Sequence, residues 1–171
     1  MLNDSGISWK GRFTNTMYLN NKLWPNDVTI NIHMMPVTAK GTSQHITFQK
    51  IKYIFHKTLQ NSVFIHHDEN IFKCFDMFDN EVLDFFEASV DQIVGVTLLA
   101  KLDAIGGDNM KVDALEIESW QGENLSFMIT DESPEWAILQ SNKTKDPWWH
   151  DSSPRISNFI KDKLTWEEIG F

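Results

Sequence analysis

"SVDQIVGVTLLAKLDAIGG", residues 89–107, runs into "MKVDALEIESW", residues 110–120, and then "NLSFMIT", residues 124–130. This stretch decides the fold. In its first part Val90, Ile93, Val94, Val96, Leu98, Leu99, Leu102 and Ile105 point in nearly every direction around a helix. A helix that is apolar all round is buried in its own protein or at a subunit contact. Ser89 and Gln92 have the spacing of a capping box, and Gly106-Gly107 supplies a left-handed stop. Lys101 projects into the apolar arc, between Val90 and Val94. Its stem is expected to pack while its ammonium reaches the edge. The other reading is a buried amine with an acidic partner or a shifted pKa, as some functional sites have.

The two segments that follow read as an antiparallel hairpin joined through Gln121-Gly122-Glu123. Leu125, Phe127 and Ile129 alternate in the second. The first changes phase between Val112 and Leu115, which predicts a β-bulge.

Working outward, Val28, Ile30, Ile32 and Met34 alternate with Thr29, Asn31 and His33, as in a half-buried strand. A strand is expected around 12–19, ended by Asn20-Asn21 and Pro25. Phe48, Ile51, Ile54, Phe55 and Leu59 form one helical stripe, with Thr47 as N-cap and Asn61 as stop. "SVFIH", residues 62–66, reads as a strand. The Phe- and acid-rich segment 69–89 suggests a strand at 71–75 and a helix at 80–87. Residues 131–154 read as irregular, and a short helix is expected near 155–163. The expected architecture is α+β: a mainly antiparallel sheet with two principal helices packed on one face. A single domain spans 1–171, with 1–26 and 131–171 as peripheral extensions.

Composition narrows the function classes. With 24 acids against 15 lysines and arginines the net charge is −9. Non-specific nucleic-acid affinity comes from neutralising phosphates, so direct binding of DNA or RNA is disfavoured. No apolar run is long enough for a membrane span, and the N-terminus lacks the pattern of a signal peptide. Cys74 is the one cysteine, which fits a reducing cytoplasm and a small buried side chain.

Several residues resemble reactive groups. His45-Ile46-Thr47 and His56-Lys57-Thr58 repeat the His-x-Thr triplet of two-histidine phosphoesterases. They lie within and beside one expected helix, however, with His56 on its polar flank, so the side chains need not converge. "HHDE", His66, His67, Asp68 and Glu69, offers metal-ligand types. Neighbours in an extended chain point to opposite sides, so one ion would also need distant ligands such as His33 or Asp76. Asp76, Asp79, Glu81, Asp84, Glu87 and Asp91 form an acidic run, read as a solvated face or as a nucleic-acid mimic. "DPWWHDSSPR" places Trp148, Trp149 and His150 in a proline-bounded loop, the stretch most like a binding surface. No phosphate-binding, dinucleotide, nucleophile-elbow, zinc-protease or Cys-x-x-Cys motif occurs, and no cofactor is implied.

The order "ITFQKIKYIF", "SVFI", "GVTLLAKLDAIGG", "MKVDALEIES", within residues 46–130, resembles small uncharacterised accessory proteins of large tailed bacteriophages. The resemblance implies a cytoplasmic protein acting on its bacterial host, and transfers no catalytic residue. The sequence therefore leads to the expectation of a non-enzymatic binding protein with a protein partner, engaged through Trp148, Trp149 and His150. The alternatives are an acidic nucleic-acid mimic, or a small enzyme or ligand binder for a phosphorylated or nucleotide-like compound.

Overall fold

The computed structural model describes residues 6–66, 81–157 and 164–171. The chain opens with a long hairpin, β1 (Ile7–Leu19) and β2 (Lys22–Pro36). Asn20 and Asn21 both have positive φ, 52° and 60°. That is the conformation of a two-residue hairpin turn whose twist matches the strands. Helix α1 (Gly41–Tyr53) continues into a widened π turn over Ile54–Leu59. After it come β3 (Ser62–His66), β4 (Val82–Phe85), α2 (Asp91–Gly106), β5 (Met110–Ser119) and β6 (Phe127–Thr130). A short α3 (Pro134–Ser141), a single 3-10 turn (Trp148–His150) and α4 (Trp166–Ile169) finish the order.

The fold is α+β, with one six-stranded sheet in the order β4-β3-β1-β2-β5-β6. The sheet is mixed, which corrects the expected mainly antiparallel one. β1–β2, β2–β5 and β5–β6 are antiparallel, whereas β1–β3 and β3–β4 are parallel. The parallel half arises because β3 follows a helix rather than a tight turn, so the chain returns to the same end of the sheet before re-entering it. The segment 82–85 adds an edge strand where a helix was expected at 80–87, and all four of its residues are buried. The bulge expected between Val112 and Leu115 is present. His33 faces Ala114 and Met34 faces Val112, leaving Asp113 as the extra residue.

The core lies on the face of the sheet that α2 covers. Val28, Ile30, Ile32 and Met34 supply β2, and Val112, Leu115 and Ile117 supply β5. Gly95 sets the approach of α2: a Cβ there would fall 2.9 Å from Ile129 and 3.1 Å from Ile117. Phe55 presses on β1 in the same way, since a Cβ at Gly11 would fall 2.6 Å from its ring. The π turn widens the helix so that Ile54, Phe55, Thr58 and Leu59 are all buried.

Other expectations change at the helix ends. α1 begins at Gly41, so Thr47 is a buried residue inside the helix and not its cap. α2 has Val90 at its N-cap with no side-chain bond, and the Ser89 hydroxyl is buried without a partner. Residues 134–141 form α3 within the stretch read as irregular, with Pro134 at its first turn. The expected strand at 71–75, Cys74, and residues 158–163 of the expected closing helix lie outside the described residues. Residues 155–157 are not helical. Among the described residues no helix is long and apolar enough to cross a membrane.

Candidate functional site

The helix-covered side of the sheet changes character at one end. Along β2 the inward residues run Met34, Ile32, Ile30, Val28 and then Asn26. The partner of Val28 on β5 is Ser119, and the partner of Asn26 on β1 is Asn15. Asn15, Asn26, Ser119 and Asp91 are all nearly covered. Buried polar groups normally have partners, and exceptions call for an explanation. Asn26 is well used: its carbonyl accepts from Asp27 N and Gln121 N, and its amide reaches Met17. Among the described residues the Asn15 amide has no partner, and neither has Oδ2 of Asp91.

Beyond these groups, the β1–β2 hairpin overhangs the start of α2 and leaves a cavity of about 410 Å³. The hairpin contributes Met17, Leu19, Asn20 and Trp24. The start of α2 contributes Val90, Asp91 and Gln92. The β5–β6 connection closes the third side with Gln121, Gly122, Glu123 and Leu125, beside Phe127. Gln121 fastens that connection to the hairpin, its Nε2 donating to Pro25 O at 2.7 Å, while Trp24 is held within the hairpin, its Nε1 donating to Leu19 O at 3.2 Å.

Asp91 is the polar centre of the wall. It is 6% exposed, at the first residue of α2, where the positive helix end favours a carboxylate. Ser119 Oγ donates to Oδ1 at 2.7 Å and accepts from Gly122 N at 3.1 Å. Gly122 lies so close to Oδ2 that a Cβ there would fall 2.1 Å from it. Burial pushes the Asp91 carboxyl above its ordinary value, and the Ser119 hydrogen bond opposes the shift. An apolar cavity with few convergent polar groups and one perturbed acid is the usual form of a small-molecule site.

Two other depressions differ. A cavity of about 540 Å³ borders Thr14, Asn15, Thr16, Asn26, Asp27 and Trp120. Several of its polar groups are engaged, Arg12 with Asp27, Thr14 with Gln60 and Asn61, and Asn26 with Gln121, and the unpartnered Asn15 amide borders this cavity, not the one beside Asp91. One of about 290 Å³ borders Asp103, Lys111 and Glu132, where Lys111 Nζ donates to Asp103 at 2.8 Å.

The residues singled out in the sequence lie elsewhere. Trp148 and Trp149 are completely covered. Their rings pack against each other at 5.7 Å and against Phe85 and Phe86 at 5.9 and 5.8 Å. Trp148 Nε1 donates to Asp84 O at 2.7 Å. Both indoles therefore serve the core, and only His150 of the three is exposed. His45 and His56 are exposed on the α1 segment, and His56 packs edge-on to Trp9. His66 Nε2 sits 3.1 Å from Phe86 O, while His67, Asp68 and Glu69 lie outside the described residues. His33 stands 3.9 Å from Glu116 on the other side of the sheet, and Asp76 lies outside the described residues. Among the described residues no group of three His, Cys, Asp or Glu could hold a metal ion. The acidic run does not form one exposed row, because Asp84 and Asp91 are buried, while Asp76 and Asp79 lie outside the described residues.

No family model matches the chain, and no curated protein matches it. Among solved structures it is similar to a catalytic-residue mutant of Plasmodium vivax 6-pyruvoyltetrahydropterin synthase. The match has a TM-score of 0.42 and 10% identity, over 73% of this chain and 96% of that one. The expectation of a non-enzymatic binding protein is corrected at this point. The tryptophan pair through which such a partner was to be engaged is fully covered and has no surface to offer.

Proposed function

We propose that this protein binds a small, largely apolar molecule in the Asp91 cleft, and that the molecule donates a hydrogen bond to the carboxylate. One observation carries the reading: Asp91 Oδ2 is buried and has no partner in the wall of a cavity of about 410 Å³. Leaving a buried acceptor unsatisfied costs about 1–3 kcal/mol, and more for a charged group. A ligand donor at this position would recover that energy, and Val90, Leu125 and Phe127 would cover its apolar body. This differs from the ligand-binding alternative of the sequence reading, which had a phosphorylated or nucleotide-like compound at the histidines.

A thermal-shift screen of small amines, amides, alcohols and heterocycles tests the proposal, with Asp91→Asn screened in parallel. Hits are expected that stabilise the native protein and lose most of that effect in the variant. Hits of equal strength in both proteins, or none at all, would place the function away from Asp91.

A further inference from the structure

The cleft's charge indicates what kind of donor it takes. We infer that its ligand is a small organic ammonium compound, with its charged nitrogen at Asp91 and its apolar body between Trp24 and Phe127. This rests on the cleft being a ligand site, and it adds the sign of the ligand's charge. Among the described residues two carboxylates border the cavity, Asp91 and Glu123, and no lysine or arginine does. The free N–H groups at the start of α2 favour an anion. Asp91, in the first turn, already brings a negative charge to that end of the helix, so the ligand is left to supply the opposite charge.

Chemistry at the two oxygens agrees. Oδ1 is taken by a neutral hydroxyl, Ser119. Oδ2 receives no hydrogen bond from the described residues. A protonated amine supplies both the missing hydrogen bond and the missing charge, and charge-assisted bonds are about twice as strong as neutral ones. The aromatic wall favours the same ligand, because ring faces attract cations. Trp24 already shows the behaviour, with Lys22 Nζ 5.9 Å from its ring centre. Gly122 covers Oδ2, so the nitrogen reaches it by turning the carboxylate or by lifting the 121–123 connection. The absence of a side chain at Gly122 leaves room for either movement.

Three probes of nearly one shape separate the charges: 2-phenylethylammonium, 2-phenylethanol and phenylacetate. Their affinities are measured by calorimetry or NMR titration on the full chain at neutral pH. The ammonium is expected to bind at least tenfold more tightly than the alcohol, and phenylacetate more weakly than either. In Asp91→Asn the ammonium should fall to the alcohol's level while the alcohol's affinity stays the same. Equal binding of ammonium and alcohol by the native protein, or a preference that survives in Asp91→Asn, would overturn the inference and leave the cleft as a neutral-ligand site. Failure of the ammonium to bind at all would also overturn it. The cleft reading itself would then stand or fall with the broader screen.

Discussion

Helix α2 buries two ionisable side chains, and the two are treated in opposite ways. Lys101 is completely covered, and its Nζ donates to three backbone carbonyls: Trp148 at 3.1 Å, Asp151 at 2.6 Å and Ser153 at 2.7 Å. An ammonium has three protons to give, so this one is saturated. Asp91, ten residues earlier, has one oxygen satisfied and the other unpartnered. The comparison teaches that burial of a charge does not by itself mark a site. The saturated lysine is a clasp that holds the 148–153 strap, and hence the two indoles, against the core. The unsaturated aspartate leaves a valence open beside a cavity.

The largest effect that tests this contrast is loss of the clasp. Lys101→Ala would leave a cavity and three carbonyls, that of Trp148 buried and those of Asp151 and Ser153 partly so, without their donor. Breaking a buried charged network typically costs ~3–5 kcal/mol. A drop of that size is expected in urea unfolding, with near-ultraviolet dichroism showing released tryptophans. A cost below about 1 kcal/mol would mean that the strap holds itself, and the contrast with Asp91 would fail.

The clasp should also make stability depend on pH. Burial pulls Lys101 down to about 7, against the attraction of Asp151, and Arg155 adds repulsion. Above that value the native protein gives up the proton, while the unfolded chain keeps it up to about 10.4. Stability should therefore rise with pH between these values, by at most ~1.4 kcal/mol per unit, and show no such slope below them. In Lys101→Met the rise should disappear. An unchanged slope in that variant would assign it to another group.

Gly122→Ala probes the other side. Its Cβ would meet Asp91 Oδ2, and overpacking of this kind costs ~1–3 kcal/mol. Combined with Asp91→Ala the clash disappears, so the two changes should cost less together than their sum. Strict additivity would show that the 119–125 connection does not rest on the carboxylate.

The sequence showed the sheet's inner face well and its edges poorly. Alternation at 28–34, the phase change at Val112–Leu115 and the apolar helix at 90–105 are all local patterns, and each appears as read. Parallel pairing of β3 with β1 and β4 is set by long-range return of the chain, which no short window records. The tryptophan pair misled because prolines and polar neighbours suggest a loop at the surface. Here the loop is pulled inward by a lysine 47 residues away, bonded to Trp148 O. The lysine's place in the apolar arc is legible in the sequence, but its carbonyl partners carry no sequence signature. Asp91 reads as one of the solvated acids because its spacing fits the run from Asp76. Only the fold places it across from Ser119 and beneath Gly122.

The smallest effect on stability gives the sharpest test of the contrast. Asp91→Asn keeps the shape and keeps an acceptor for Ser119, while it removes the charge. Because burial raises this carboxyl, the native protein holds its proton at pH values where the unfolded chain, near 3.8, has already lost it. The ionised group therefore costs stability above that window, and the cost disappears as pH falls through the raised value. At pH 7 the variant should be as stable as the native protein or more so, by up to ~1 kcal/mol for an isolated buried charge relieved. Near pH 4 the difference should vanish. Lys101→Met, the matching replacement at the clasp, should lower stability at pH 7. Functional groups commonly sit where they cost stability. If Asp91→Asn proved as destabilising as Lys101→Met, Asp91 would be a second clasp, and the cleft would lose its claim to be a site.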